Sequence, residues 1–292
     1  MRDFEIFTDS CSDLPKEYIK EKNIKFARLT CTYDDKTYFD DFGESLSYKK
    51  FFDDLRNGTI AKTSQPSVDE FYSNFKKIID SGKDVLYICV STGLSGSENS
   101  ATIAKNMILE EYTEVNIYIV NVLTASLGQG IMVMKAVEMK EEGKSLEEIV
   151  EYIEKNKQRL NTFMTVDDLN HLKRGGRLST AAAMIGTVFS IKPILSIDAD
   201  GRVISIDKAR GRKASLKKLV DLLLERIEEA EKQIIGISHG DCIDEVLKLK
   251  DAILSKINVK DVIINYTGPA VGTHGGPGNV AIFFMGKERK IL

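Results

Sequence analysis

The sequence predicts an α/β fold in two parts: a three-layer α/β domain with a parallel sheet, and a second α/β domain with a mixed sheet. Strand-like and helix-like segments alternate through the first half of the chain, which is typical of a sheet covered by helices on both faces. The short apolar run Asp84–Val90 has the pattern of a parallel strand buried on both faces. In Pro193–Ile206 the pair Asp200-Gly201 separates two alternating runs, and this pattern indicates a β-hairpin.

In the first half, short apolar runs are expected to be strands, and longer amphipathic segments are expected to be helices. The expected strands are Phe4–Thr8, Lys25–Tyr33, Asp84–Val90 and Val115–Val122. The expected helices are Leu14–Glu21, Tyr48–Asn57, Ser67–Ser81, Glu98–Glu111, Ala125–Glu142 and Leu146–Leu160. Because helices alternate with these strands, we expect a parallel sheet.

The second half contains both the hairpin and strand–helix–strand connections, which favours a mixed sheet. The other expected strands are Thr162–Val166, Gln233–Ser238, Val259–Tyr266 and Val280–Met285. The expected helices are the alanine-rich segment Thr180–Phe189, Ala214–Lys232 and Asp244–Ile257. We place a domain boundary near residue 160, which gives domains of residues 1–160 and 161–292 without a flexible linker between them.

Length and charge argue against several classes of protein. A chain of 292 residues can form one large domain or two ordinary ones. Its net charge of −3 gives no general attraction to nucleic acid or to anionic lipid. The first residues lack the pattern of a secretory signal, and no apolar run approaches the roughly 18–20 residues of a membrane helix. We therefore expect a cytoplasmic protein with no membrane-spanning segment.

The four cysteines are scattered, and none forms a CxxC pair. Three of them lie in or beside apolar stretches, where a thiol behaves as a small hydrophobic side chain. We expect reduced, buried cysteines, and we expect no metal site because no ligand spacing supports one.

Two segments place hydroxyl groups at predicted helix starts. Thr63-Ser64 precedes Ser67, which has Glu70 three residues later, as in a capping box. Exposed amides and the helix dipole favour an anion at such a position. A plain loop at a helix start is the alternative interpretation.

Ser91–Ser100 repeats this arrangement after the strand Asp84–Val90. Ser95 is a candidate N-cap with Glu98 three residues later, and Gly93 and Gly96 free the backbone around it. Asp9-Ser10 follows the first strand in the same way. Ligands of open α/β sheets bind at the carboxyl ends of the strands, so these three loops together predict an anion site.

The segment Gly268–Gly278 holds five glycines, two prolines and His274. Such a loop can present one polar side chain beside an anion, although a rigid turn with a solvent-exposed histidine is an alternative. Ser95 and His274 could also form the pair of a serine acyl hydrolase. However, the GxSxG elbow is absent and no third group is assigned, and neither a phosphate loop nor a GxGxxG motif is present.

Two basic clusters have an open interpretation. Leu172–Leu178 places three cations around two glycines, and Arg177 could offset the charge of a ligand there or belong to an ordinary basic turn. The run Lys208–Lys213 is predicted to open a helix, where cations oppose the dipole. That placement suggests a surface for a partner protein, with solvated charge as the alternative.

Five motifs, spread in order over nearly the whole chain, resemble the DegV family. They are DSCSDLP at Asp9–Pro15, TSQPS at Thr63–Ser67, LSG at Leu94–Gly96, LKRGGR at Leu172–Arg177 and GPAVGTHGGPG at Gly268–Gly278. The sequence departs from the family pattern at Ser97-Glu98-Asn99 and at Gly275, which follows the histidine. Both departures lie beside motif positions that the resemblance assigns to binding the polar head group of a ligand, so they bear on the detailed hydrogen bonding to that head group.

The resemblance implies a protein that binds a long-chain fatty acid between its two domains and is not itself an enzyme. It implies that Thr63 and Ser95 donate hydrogen bonds to the carboxylate, that His274 joins them and that Arg177 supports the site. Neighbouring motif positions complete the implied ligand-binding set: Ser64, Gly96 and Gly275. The implied partner is the ATP-binding subunit of a bacterial fatty acid kinase, which would meet the surface around Arg210.

The implied reaction belongs to that kinase, which would convert the carboxylate to an acyl phosphate for phospholipid synthesis, with an acyltransferase as a further partner. No cofactor is implied besides the bound fatty acid. Two segments are candidates for the wall of the pocket around the acyl chain: Ala181–Gly186 and Ile191–Leu195. Packing in the protein core explains both segments equally well.

Overall fold

The computed structural model describes residues 2–178 and 191–289. The strands are β1 Phe4–Asp9, β2 Lys25–Ala27, β3 Thr30–Tyr33, β4 Lys36–Phe39, β5 Lys62–Ser64, β6 Asp84–Cys89, β7 Ile117–Asn121, β8 Leu160–Thr165, β9 Ile191–Ile197, β10 Val203–Arg210, β11 Ile234–His239, β12 Asp261–Tyr266 and β13 Val280–Met285. The helices are α1 Lys16–Glu21, α2 Tyr48–Arg56, α3 Val68–Asp80, α4 Ser97–Glu111, α5 Leu127–Glu141, α6 Leu146–Asn156, α7 Asn170–Arg174, α8 Arg212–Arg226, α9 Ile243–Leu254 and α10 Pro269–Gly275. The predicted helix Thr180–Phe189 and the wall candidate Ala181–Gly186 lie outside the described residues.

The first sheet is parallel and has the strand order β2-β1-β6-β7. Alternate residues of its central strands point to opposite faces. Ile6 and Leu86 pack against α5 and α6 on one face, whereas Phe7 and Tyr87 pack against α3 and α4 on the other. All six residues of β6 are buried, as expected for a strand covered on both faces. The predicted three-layer domain is confirmed.

The second sheet has the order β10-β9-β8-β13-β11-β12, with β11 and β12 parallel and the other pairs antiparallel. It is the predicted mixed sheet, and its hairpin joins β9 and β10. Gly201 takes φ +77° in the turn, a value that glycine adopts without strain. Helices α8 and α9 cover one face, while Gly236 and Phe283 on the other face approach α5. Sheet membership changes between β7 and β8, and a domain boundary near residue 160 stays a prediction.

A third, three-stranded sheet of order β4-β3-β5 was not predicted. The single strand expected over Lys25–Tyr33 is wrong, because the segment divides into β2 in the first sheet and β3 in the third. Between them, Arg28 binds Glu70, and the amide of Leu29 donates to the hydroxyl of Ser10. The segment Thr63-Ser64, interpreted as part of a helix-start loop, belongs to strand β5.

The glycine-rich segment Gly268–Gly278 also differs from the expectation, because most of it is helix α10. Pro269 occupies the first helical position, where its missing N–H is not needed. Two buried carboxylates hold this end: the amide of Gly268 donates to Asp13 at 2.8 Å, and that of Ala270 donates to Asp40 at 2.9 Å. The helix therefore depends on residues more than 200 positions away, which local sequence patterns do not reveal.

The other element boundaries lie close to the predictions. Helix α7 was not predicted, and the helix expected over Ala214–Lys232 runs from Arg212 to Arg226. None of the described helices is long and apolar enough to cross a membrane. The part of the chain that the structure describes contains no cluster of residues suited to hold a metal ion.

Arg289 joins segments from both halves of the chain. Its side chain is only 8% exposed, and it donates to the carbonyl oxygens of Leu123 at 2.9 Å, Asp198 at 3.1 Å and Lys157 at 2.9 Å. Burial lowers the pKa of its guanidinium to about 10, so the group is still charged at neutral pH.

We expect Arg289→Ala to lower the free energy of unfolding by about 3 kcal/mol, since three carbonyl oxygens lose a charged donor. Urea unfolding followed by circular dichroism measures this change. The control is Lys217→Ala, whose side chain is 75% exposed, and it should change the value by at most about 0.5 kcal/mol. Equal effects of the two variants would contradict a role for Arg289 in holding the halves together.

Candidate functional site

A cavity of about 390 Å³ lies between the loops of the first sheet and the inward face of the second sheet. Most of its wall is apolar, with contributions from Leu29, Val90, Met164, Val166, Ile197 and Phe283. On β8 and β13, alternate residues face this space, whereas Phe163 and Ile282 between them belong to the core under α8 and α9. Its volume lies within the roughly 300–1,000 Å³ that is usual for small-molecule sites.

Polar groups from distant segments gather along part of the cavity wall. Six of the seven predicted ligand-binding residues line the cavity: Thr63, Ser64, Ser95, Arg177, His274 and Gly275. They come from β5, from the loop before α4, from the turn after α7 and from α10. Gly96 is not among the lining residues, and neither is Arg210.

His274 is fixed by a hydrogen bond of 2.9 Å between its Nε2 and Oγ1 of Thr63. Its Nδ1 has no hydrogen-bond partner among residues 2–178 and 191–289. That nitrogen lies against the backbone of Gly175, where an added Cβ would be only 2.0 Å away. His274 is partly buried, so the expected alternative of a solvent-exposed histidine is wrong.

His274 is neutral at physiological pH. Burial lowers its pKa to about 4, and the positive charges of Arg177 and His171 act in the same direction. A positive charge at the site therefore comes from Arg177 instead. Its guanidinium donates to the carbonyl oxygens of Leu94 at 3.0 Å and Gly175 at 2.5 Å, and Arg177 is in none of the ion pairs between described residues.

Ser95 lies one residue before the N-cap of α4, which is Gly96. The predicted capping by Ser95 with Glu98 is therefore wrong, since Glu98 instead accepts a hydrogen bond from Asn121 at 3.1 Å. The Ser95 hydroxyl accepts from the amide of Ser97 at 3.3 Å and shares a hydrogen bond of 2.9 Å with its hydroxyl. This local turn keeps the hydroxyl at the cavity wall.

The third expected loop contributes no hydroxyl to the cavity. Asp9 is fully buried and accepts hydrogen bonds from Tyr87 at 2.7 Å and from the amide of Val90 at 3.2 Å. The hydroxyl of Ser10 accepts a hydrogen bond from the amide of Leu29. The segment instead places Cys11 at the wall. The position at a strand end correctly placed this segment beside the cavity, but the expected contribution of Asp9 and Ser10 to an anion site is not seen.

Gln65 was missed, although it stands inside the TSQPS motif. It lines the cavity, and its Nε2 donates to the carbonyl oxygen of Gly96 at 3.0 Å and to the hydroxyl of Ser100 at 2.8 Å. Ser67, in the same motif, caps α3 as predicted by accepting from the amide of Glu70 at 3.1 Å. The Glu70 carboxylate binds Arg28, so the reciprocal half of the capping box is absent there.

Arg210 lies at the end of β10 and is exposed. The basic run was expected to open a helix, but Lys208 and Arg210 belong to the strand, and α8 begins only at Arg212. Arg212 is paired with Glu245 at 2.7 Å. Arg210 forms no ion pair with a described carboxylate, so its charge is available at the surface.

The class of protein that this fold and cavity define is a two-domain α/β binding protein with an apolar interior space and a polar rim of mostly neutral donors. The chain belongs to the DegV family: the family model described as "Uncharacterised protein, DegV family" matches residues 3–287. The family predicted from the five motifs is therefore confirmed.

Related sequences and structures agree over nearly the full length. A DegV domain-containing protein from Clostridium perfringens is 42% identical over 99% of this chain and 100% of its own length. One from Lactococcus lactis is 35% identical over 98% and 99%.

Two solved structures share the fold and 29% sequence identity, and each alignment covers 98% of this chain and all of the other. A DegV family protein from Thermus thermophilus, described by its fatty acid binding, has a TM-score of 0.89. The DegV protein of Bacillus subtilis, described as a fatty acid binding protein, has a TM-score of 0.86.

The lowered pKa of His274 predicts a specific pH dependence of stability. Because its folded pKa is about 4 and its unfolded value is near 6.5, the unfolded chain binds the extra proton between these pH values. The stabilisation is complete above about pH 6.5 and is lost as the pH falls toward 4. His274→Gln should therefore reduce the dependence of unfolding free energy on pH by up to about 1.4 kcal/mol per pH unit in this window.

Urea unfolding of wild type and His274→Gln at several pH values between 4 and 8 measures this difference. His239→Gln is the matched comparison, since burial also lowers the pKa of His239 to about 4. Parallel stability curves for wild type and His274→Gln would show that His274 titrates normally in the folded protein.

Proposed function

We propose that this protein binds one long-chain fatty acid, with its chain in the cavity and its carboxylate at Thr63, Ser95 and His274. The observation that carries the proposal is an apolar cavity whose polar side brings together two hydroxyl-bearing segments, a neutral histidine and Arg177, which pairs with no described carboxylate. The fatty acid binding described for the DegV proteins of Thermus thermophilus and Bacillus subtilis supports it.

The energetics of such a ligand fit the two parts of the cavity. Each buried methylene contributes about 0.8 kcal/mol, so a sixteen-carbon tail offers on the order of 10 kcal/mol before association costs. A carboxylate that accepts hydrogen bonds from hydroxyls avoids the desolvation of a close buried ion pair. Arg177 adds a positive charge beside the site while its donors remain on backbone carbonyls.

We further propose that the protein is not an enzyme and presents the carboxylate to a separate ATP-dependent kinase subunit in the cytoplasm. That kinase would form an acyl phosphate, which an acyltransferase would use in phospholipid synthesis. The exposed cation Arg210 is our candidate for the contact with the kinase. Charged rim residues of this kind mainly raise association rates and select partners.

A serine acyl hydrolase built on Ser95 and His274 has less support. His274 Nε2 is bonded to Thr63 rather than to Ser95, and no described group orients Nδ1. A hydrolase needs a nucleophile within reach of its base and a third group behind the base.

The first experiment is extraction of the purified protein followed by mass spectrometry, together with palmitate titration of the delipidated protein. A binding protein should release about one fatty acid per chain and should bind palmitate. Ser95→Ala should weaken binding by about 1.5–3 kcal/mol, since one hydrogen bond to a charged group is lost. Thr102→Ala is the control, because Thr102 carries an exposed hydroxyl on α4, the helix that Ser95 precedes. Steady ester hydrolysis that is lost in both Ser95→Ala and His274→Ala would instead establish the hydrolase.

The second experiment tests the proposed kinase surface. Arg210→Glu should leave palmitate binding unchanged, since Arg210 lies away from the cavity wall, and should slow acyl-phosphate formation at limiting carrier concentration. The expected cause is weaker association with the kinase, by about 2–5 kcal/mol if the charge is desolvated in the complex. The control is Lys155→Glu, an exposed charge reversal on α6. Normal phosphorylation with Arg210→Glu would make Arg210 an ordinary solvated side chain.

A further inference from the structure

We propose that Gln65 is a positioning residue that sets the start of α4, and Ser95 with it, relative to Thr63 and His274. The inference rests on the proposed function and concerns a residue that the motif analysis left without a role. Gln65 stands two residues after Thr63, directly beyond strand β5. Its carboxamide reaches across to the first turn of α4.

Both donor positions of the carboxamide have an assigned partner. Nε2 lies 3.0 Å from the carbonyl oxygen of Gly96 and 2.8 Å from the hydroxyl of Ser100. An amide NH2 group has two hydrogens to donate, so these two contacts use its full capacity. One of the acceptors is backbone and the other is a buried side chain, and together they fix the rotation of the helix start as well as its distance.

The absence of a side chain at Gly96 makes room for the carboxamide of Gln65. A Cβ at this position would lie 2.2 Å from Oε1 of Gln65 and 2.8 Å from its Cδ. The carboxamide therefore packs directly on the Gly96 backbone, and any larger residue there must displace it. Gly96 was expected to bind the ligand, yet it is not a lining residue. Its position instead explains why glycine follows Ser95.

The segment Thr63–Gln65 thus connects two sides of the cavity. Thr63 binds His274 of α10 at 2.9 Å, and Gln65 binds the start of α4. Ser95 immediately precedes that start, and its hydroxyl is held by the amide of Ser97 in the same turn. A shift of α4 would therefore move the Ser95 hydroxyl away from Thr63. Such a shift would weaken the binding of any ligand that needs both hydroxyl groups. Binding sites lose affinity when their donors are displaced by about an ångström.

The test is a set of palmitate dissociation constants measured on the full-length, delipidated protein. Gln65→Ala, which removes both hydrogen bonds of the carboxamide, and Gly96→Ala, which displaces the carboxamide, should each raise the dissociation constant about three- to tenfold. Gly96→Ala should add nothing further in the Gln65→Ala background, since both changes break the same contact. Ser100→Ala, which removes one acceptor without altering a cavity-lining residue, should raise it about two- to fivefold.

Thr102→Ala is the matched control, because its hydroxyl donates to Glu98 within α4 and is exposed. Amide hydrogen exchange at Ser95–Ser97 is measured on the same variants and should accelerate in Gln65→Ala. Gln65→Glu should raise the dissociation constant as Gln65→Ala does, because a carboxylate cannot donate to the carbonyl oxygen of Gly96.

Three outcomes would overturn the inference. If only Gln65→Ala weakens binding while Ser100→Ala and Gly96→Ala do not, Gln65 contacts the ligand directly and positions nothing. If exchange accelerates and affinity is unchanged, the contact is structural only. If exchange in the first turn of α4 is unchanged in Gln65→Ala, the contact does not fix the helix. A wild-type protein that binds no palmitate would reject the proposed function, while the exchange result would still judge the contact itself.

Discussion

The cavity depends on how helix α10 is held at its first residues. Asp13 and Asp40 are both buried. Asp13 accepts a hydrogen bond from the amide of Gly268, and Asp40 accepts one from the amide of Ala270. Asp13 comes after β1 of the first sheet, Asp40 directly follows β4 of the third sheet, and α10 lies between β12 and β13 of the second, so one junction joins all three sheets. Burial raises the pKa of both carboxyls, that of Asp40 to about 7, and the nearby charge of Asp40 raises the pKa of Asp13 further. The other end of α10 carries His274, whose position at the cavity follows from this anchoring.

The same junction explains why the third sheet matters to a site that it barely encloses. Strand β5 pairs with β3, with Thr63 opposite Cys31. Cys31 in turn contacts the hydroxyl of Thr273 on α10 at 3.4 Å. The sheet and the helix therefore meet at adjacent residues, Thr63 with His274 and Cys31 with Thr273. The three short strands are also supported by a small core, in which Cys31 and Tyr33 of β3 pack with Phe51 and Phe52 of α2.

The sequence predicted the parts of the fold that local patterns determine. Strand β6 could be predicted because every residue is buried and the run is apolar, and the hairpin because Asp200-Gly201 meets the demands of a tight turn. Helix α10 could not, since the carboxylates that hold its start come from the first forty residues. Six of the seven predicted ligand-binding residues line the cavity, and their roles stay predictions, whereas Gln65 was not predicted. Its role depends on a contact with α4, and single-sequence spacing carries no information on such contacts.

The electrostatic character of the site bears on what a bound carboxylate could do there. A charged histidine would form a close ion pair and hold the carboxylate in its least reactive form. Burial keeps His274 neutral, and Thr63 offers it a neutral partner at 2.9 Å. The positive charge of Arg177 is shared with the carbonyl oxygens of Leu94 and Gly175, which weakens its hold on an anion. A carboxylate bound in this way keeps most of its negative charge on its own oxygens, and in the proposed function one of those oxygens must attack a phosphate. In the proposed function, burial of the acyl chain and weak neutralisation of the carboxylate are therefore complementary requirements, and the apolar wall and the polar side of the cavity would meet them separately.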